Sequence, residues 1–306
     1  MSAFTVTVPC STSNLGSGFD AVGIALGGPH LLVRVTPGGA ELRISRIAGE
    51  GEARLARDAS NRLIQAAHLA AEAAGRAPGE LRAQLEVHSS IPLRRGLGSS
   101  AAAALAGALL ADRLLDGAIG EERALAVAVR LEGHPDNVVP SLRGGAQVAV
   151  LDASGKVVSC PVPLGAPLRA ALFIPDEELA TSAARAVLPQ TVKLGDAVYN
   201  LGRAALLVAA LQAGRLDLLA EAMDDRLHQP ARATLLPWLP SLLAAAREAG
   251  AAGAALSGAG TTVLALCAPG DAHDVARAMR EAAQARGVPG RPEVVDVGVP
   301  GARVLA

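Results

Sequence analysis

Aromatic side chains are nearly missing from this chain. Its 306 residues include one tryptophan, one tyrosine and three phenylalanines. Nucleobases would find almost nothing to stack on, and no basic tract runs anywhere along the sequence, so a nucleic-acid partner is not expected. Lysine is scarcer still: Lys156 and Lys193 are the only two, and arginine supplies the rest of the positive charge. Neither sign dominates, with 28 Lys and Arg against 29 Asp and Glu, a formal net charge of −1. The three cysteines, Cys10, Cys160 and Cys267, are odd in number and stand in no metal-ligand spacing. They read as reduced thiols of a cytoplasmic protein. The first residues lack a basic segment followed by an apolar run, so no secretory signal is expected. Residues 249–270 carry no formal charge and are long enough to cross a bilayer. Gly253, Gly258, Gly260 and Pro269 interrupt that stretch, and a buried hairpin, not a membrane span, is the expectation.

What the chain has in quantity is small and aliphatic side chains. Half of it is apolar, which allows a sizeable core built mainly of Ala, Val and Leu, and the length suffices for two domains. Strands are expected at "AFTVTV", "HLLVRVTP" and "ELRISRI", and at "LRAQLEVHS", where Leu81, Ala83, Leu85 and Val87 alternate with polar residues. Helical spacing covers Asn61–Ala74, about Ser99–Leu115 and about Glu121–Leu131. "EGHPDNVVPSLRGG" reads as a polar loop marked by Pro and Gly. Strands at about Ala146–Leu151 and Val157–Pro161 close the first half. A strand at Leu168–Ile174, a run of helices from Thr181 to Gly250, the hairpin "AGAALSGAGTTVLALC", a helix at about Asp271–Arg286 and a strand at Glu293–Val297 make the second. The order is that of an α+β protein rather than of regular βαβ units.

Four polar stretches stand out. In "IPLRRGLGSSAAAALAG" (Ile91–Gly107), Gly96 and Gly98 permit a tight turn before a helix that opens on very small residues. Either Ser99 simply caps that helix, or its first N–H groups hold an anion. The common phosphate loop has a lysine after its last glycine; here Ser99 and Ser100 occupy the place. A triphosphate would then need Mg²⁺ and backbone N–H groups to offset its charge, with a carboxylate elsewhere to hold the metal. "RLEGHPDNVVP" offers Glu132, His134, Asp136 and Asn137 within six residues. Glu132 or Asp136 could hold Mg²⁺; equally, Glu132 could be a solvated helix end and Asp136 a turn cap. His134 has no second His or Cys at zinc spacing. "STSNLGSGFDAVGIAL" sets Asn14, Gly16, Gly18 and Asp20 after the first strand, as a turn would. "LSGAGTTVL" is a third glycine-rich turn between apolar strands.

Taken in order, "STSNLGSGFD", "GLGSSAAAA", "EGHPDN" and "SGAGTTV" resemble the GHMP kinase superfamily. "EGHPDN" followed by "VVPSLRGG", together with "SNLGSGFD", resembles the homoserine kinase family within it. The likeness runs from Pro9 to about Leu266. It implies the two-domain GHMP kinase fold: residues 1–160 as an ATP-binding domain similar to domain 2 of ribosomal protein S5, and residues 161–306 as a ferredoxin-like domain. It implies phosphorylation of the side-chain hydroxyl of L-homoserine by ATP with Mg²⁺, a step of threonine biosynthesis, and a homodimer. Pro92, Arg94, Gly96, Leu97, Gly98, Ser99, Ser100 and Ala101 match the nucleotide loop. Ser100 and Glu132 match the metal positions. Asn14, Asp20, His134, Asn137 and Gly258 match the homoserine site, with Arg185 and Arg232 for the substrate carboxylate. Asn137, Asp20 and Ser100 are the catalytic candidates; since an asparagine cannot accept the proton, in-line attack by the hydroxyl itself is implied. Three residues depart from the family pattern: Arg130 where an acidic residue is usual, Cys10 for alanine, and Thr261 for the proline after "SGAG".

Overall fold

The computed structural model describes residues 1–306. Strand β1 (Phe4–Asn14) begins with Phe4, Val6 and Val8 buried in alternation. Strand β2 (Gly18–Pro37) returns antiparallel along its whole length. After β3 (Leu42–Gly49), helix α1 (Arg62–Ala73) starts at Asn61, whose side chain accepts from the Leu63 N–H. Strand β4 (Ala83–Ser89) buries every second residue, as its alternation requires. Helices α2 (Ser99–Leu114), α3 (Glu121–Glu132) and α4 (Val138–Arg143) follow, then the hairpin β5 (Ala146–Leu151) and β6 (Val157–Val162). The second half runs β7 (Arg169–Pro175), α5 (Thr181–Ala186), α6 (Leu194–Ala213), α7 (Leu219–Ala222), α8 (Gln229–Arg232) and α9 (Leu239–Glu248). It ends with β8 (Gly253–Leu256), β9 (Val263–Cys267), α10 (Ala272–Ala285), β10 (Gly290–Val297) and β11 (Arg303–Leu305). The uncharged stretch at 249–270 is the expected buried antiparallel hairpin, β8 with β9.

Two local expectations are corrected. The glycine-rich segment after β1 is a turn only at Leu15–Ser17; from Gly18 onward it is strand. The loop after α3 contains α4. Pro140 is compatible with that helix because it lies in the first turn, where a missing N–H removes no intrahelical bond.

One sheet holds the molecule together, in the order β11-β1-β2-β10-β7-β9-β8, with β4 and β5 also paired to β2. Every pairing is antiparallel except β3 with β4. Strand β10 pairs with β7 along its length and with β2 at Asp296–Gly27 and Val297–Leu26, so the halves share backbone hydrogen bonds. Strand β7 is buried on both faces. Ala170, Leu172 and Ile174 join the core under α1–α3, while Ala171 and Phe173 join a second core with Trp238 of the loop before α9, Leu242 of α9 and Met279 of α10. The polar stretches singled out in the sequence all end where these cores meet.

Candidate active site

Helix α2 begins at the mouth of a cleft. Its N-cap is Gly98, at φ +72°, with no side-chain cap, so Ser99 and Ser100 occupy the first turn and neither caps the helix. The leading N–H groups of an uncapped helix are free to meet an anion, and the helix dipole favours one. Gly96 and Gly98 are demanded by the surroundings as well as by φ. A Cβ on Gly96 (φ +73°) would stand 2.0 Å from the Ser257 carbonyl oxygen, and one on Gly98 2.3 Å from Ser11 Oγ. Ser257 Oγ also donates to the Gly96 carbonyl at 2.7 Å, and Thr12 Oγ1 lies 2.8 Å from Ser257 Oγ. The "SGAG" turn, the end of β1 and the phosphate-type loop are thus one bonded unit.

Ser100 Oγ donates to Glu132 Oε1 at 2.6 Å, joining the first turn of α2 to the last residue of α3. A hydroxyl and a carboxylate so close are hard oxygen donors of the kind Mg²⁺ takes. Arg62 lies 3.7 Å from the same carboxylate oxygen and donates to the Leu131 carbonyl at 2.7 Å. Arg94 and Arg95 also line the cleft, Arg95 being tied to the carbonyls of Pro175 and Asp176 at 2.7 Å each. Guanidinium groups therefore stand near the α2 N-terminus beside its backbone N–H groups, Arg94 among them as the nucleotide-loop match implied. The unusual Arg130 is exposed and does not line the cleft.

Deeper in, Asn137 is 8% exposed and held at both ends of its amide: its Nδ2 donates to Ser13 Oγ at 2.7 Å, and Ser11 Oγ donates to its Oδ1 at 3.0 Å. His134 Nδ1 and Asp136 Oδ1 are 2.5 Å apart. Burial is the largest single influence on His134 and works against its charge, but the hydrogen bond and the negative charge of Asp136 together prevail and raise the pKa. Burial likewise opposes the charge of Asp136 most strongly, yet the bond to His134, that ring's charge and the nearby Ser13 and Arg185 together hold its carboxyl below the usual range. The second oxygen of Asp136 is buried with no partner in the protein. Asp20, at φ +53°, receives both arms of Arg185, at 3.0 and 2.8 Å. Asn14, also left-handed at φ +72°, accepts from the Asp20 N–H at 2.9 Å and donates to the Gly258 carbonyl at 2.7 Å. Left-handed non-glycine residues gather at functional sites, where the surroundings over-determine them.

Arg232 is 1% exposed, on α8. Its Nη1 donates to the Gly258 carbonyl and to His228 Nδ1, both at 3.0 Å, and its Nε to the Ala184 carbonyl at 3.4 Å. Burial and the charge of Arg185 lower its pKa to about 10.

Every residue singled out in the sequence as a site candidate lines this cleft except Ala101, which is fully buried beneath the first turn. Ser13, Arg62, Arg95 and Thr181 also line it and escaped the sequence reading. Ser13 and Arg95 stand inside quoted glycine-rich stretches without being picked out there, while Arg62 and Thr181 look like ordinary residues at helix starts. Cys10 is buried away from the cleft, its thiol pushed up to about 12 by burial, and Thr261 Oγ1 donates to the Glu177 carbonyl at 2.7 Å.

Such a cleft over an uncapped helix, between two halves sharing a sheet, suits a small-molecule kinase, and family-model matches place the chain in the GHMP class. Residues 61–145 match the family model for the GHMP kinases N terminal domain, and residues 207–285 that for GHMP kinases C terminal. Within that class the chain belongs to the homoserine kinase family. It is 47% identical over 263 residues to a homoserine kinase of Deinococcus radiodurans, covering 85% of this chain and 83% of the relative. It is 42% identical over 292 residues to one of Thermus thermophilus, covering 95% of both. The crystal structure of homoserine kinase from Cytophaga hutchinsonii superposes with a TM-score of 0.87 at 29% identity, over 100% of this chain and 98% of that one. A mevalonate kinase from L. major, at 17% identity and a TM-score of 0.68 over 95% of this chain and 94% of that one, shares the fold.

Proposed function

We propose that this cleft transfers the γ-phosphoryl group of ATP to the side-chain hydroxyl of L-homoserine. The convergence of the four motifs on one cleft, with an anion-ready helix start at one end and buried charged groups at the other, carries the reading. A zwitterionic amino alcohol suits those groups. Arg232 Nη2 has no hydrogen bond within the protein and is available to the carboxylate. The orphaned oxygen of Asp136 suits the ammonium. Arg185 already grips both oxygens of Asp20, so this ion pair, rather than a free base or a free guanidinium, faces the ligand.

Phosphoryl transfer asks the protein mainly for position and charge stabilisation. Asn137 cannot take a proton, and Ser11 and Ser13 fix its amide. We therefore assign direct in-line attack by the hydroxyl, with Asn137 and Asn14 shaping the hydroxyl's surroundings and the leading N–H groups of α2 holding the phosphates. Ser100 and Glu132 would hold Mg²⁺, which neutralises phosphate charge when bound. Incubated with ATP, Mg²⁺ and a panel of homoserine, mevalonate and shikimate, the protein is expected to release ADP with homoserine alone. Turnover of another alcohol in preference, or of none, overturns the assignment.

We also propose a homodimer built on α6. Its inner residues Asn200, Leu207, Ala210 and Leu211 are buried, yet Leu194, Val198 and Leu201 on the opposite face are 80%, 60% and 72% exposed. A helix apolar on both sides is normally covered on both. The exposed stripe continues through Gly202, Ala205 and Ala209, so its first half is bulky and its second half small. Across a two-fold axis, an antiparallel α6 would set each large residue against a small one. Leu201→Glu should convert a dimer into a monomer in analytical ultracentrifugation; a monomeric parent protein or an unaltered dimer refutes this. The three cysteines are unpaired, which supports a reducing cytoplasm.

A further inference from the structure

His228 is completely buried, and nothing in the transfer chemistry calls on it. Its ring stacks on Phe19, centroids 4.8 Å apart, beside the Asp20–Arg185 pair. An arginine can only donate, so the 3.0 Å contact with Arg232 Nη1 requires Nδ1 of His228 to be without a proton. The proton of the neutral ring then sits on Nε2, which points at the Gly16 carbonyl 2.9 Å away. One tautomer satisfies both nitrogens, whereas a doubly protonated ring would turn an N–H toward a guanidinium. Burial agrees, lowering the His228 pKa to about 4. Asp225 fixes the backbone that carries the ring. Its oxygens accept from the N–H groups of Leu227, His228 and Gln229 and from Asn200 Nδ2 on α6, between 2.7 and 3.0 Å.

We propose that His228, held as the neutral Nε2–H tautomer, is the positioning residue for Arg232: its Nδ1 and the Gly258 carbonyl aim the guanidinium so that Nη2 faces the substrate carboxylate. The assignment rests on Arg232 serving that carboxylate. It makes specificity for the amino-acid end of the substrate depend on a ring that does not line the cleft.

Two conservative variants separate the ring positions. In His228→Asn the side-chain oxygen can stand where Nδ1 stood, whereas in His228→Gln the amide reaches toward the Nε2 position. His228→Asn is expected to keep the KM for homoserine within about three-fold of the parent value. His228→Gln is expected to raise it by about ten-fold or more, the KM for ATP staying unchanged in both. Equal effects of the two variants, the reverse order, or parallel changes in the KM for ATP would overturn the proposal. The tautomer is read independently of turnover from the imidazole ¹⁵N shifts of the unsubstituted protein, with His228 assigned by its loss in His228→Asn. A protonated Nδ1 refutes the proposal even if homoserine is the substrate. Absence of homoserine turnover in the parent protein, with the Nε2–H tautomer present, would instead count against the functional reading alone.

Discussion

Arg232→Ala is expected to raise the KM for homoserine by about 30- to 5,000-fold, corresponding to the ~2–5 kcal/mol lost when one partner of a buried, hydrogen-bonded charge pair is truncated. The size follows from burial. Arg232 is 1% exposed, so its charge is little screened by water once a carboxylate meets it. Truncation also leaves the Gly258 carbonyl and His228 Nδ1 without their donor. Arg185 is already committed to Asp20 in a two-armed ion pair, so it is expected to compensate poorly. In the proposed arrangement the phosphates meet the α2 end of the cleft, away from Arg232, so the KM for ATP should stay near the parent value. Steady-state kinetics with each substrate varied in turn checks this; an unchanged homoserine KM removes Arg232 from the carboxylate site.

Ser100→Ala is expected to act on the other half of the reaction, lowering kcat by roughly 10²–10³, as loss of one preorganised polar group at the reacting centre does. Ser100 is the side chain that links the phosphate-facing turn to Glu132, at 2.6 Å. Without the hydroxyl, Glu132 keeps only Arg62, 3.7 Å away, and is drawn toward that cation. The backbone N–H groups of α2 are untouched, so ATP should still bind, and the loss should persist at saturating ATP and Mg²⁺. Full turnover under those conditions would remove Ser100 from the transfer step.

Much of the site was legible because its chemistry is carried by short, punctuated motifs. "GLGSS" has to be a turn before a helix, since Gly96 and Gly98 leave no room for a side chain, and the helix observed begins at Ser99 as expected. "EGHPDN" concentrates polar groups that a plain helix end would not need. The misreadings have a physical source too. Glycines mark close approach as well as turns: a Cβ on Gly23 would stand 1.8 Å from the Asp136 carbonyl oxygen, so that glycine belongs to a strand pressed on the site rather than to a loop. Arg62 could not be found from its neighbours. At the start of α1 it looks like any solvated helix residue, and only the packing of α1 beside α3 carries it to Glu132. His228 was equally silent, because its value lies in a tautomer that a tertiary contact imposes. The shared sheet was hidden for the same reason: nothing local to "RPEVVDV" says that its last residues meet Leu26 and Gly27.

That late strand has a bearing on how the protein is made. Residues 290–305 supply β10 and β11, which pair with Leu26 and Gly27 of β2 and with Thr5, Val6 and Thr7 of β1, near the other end of the sequence. On the ribosome the early sheet must wait, its flanks open, until nearly all the remaining polypeptide has emerged. Two backbone margins, one on β1 and one on β2, therefore stay unpaired until residues 290–305 arrive, whereas every residue lining the cleft has already been made by Ala259.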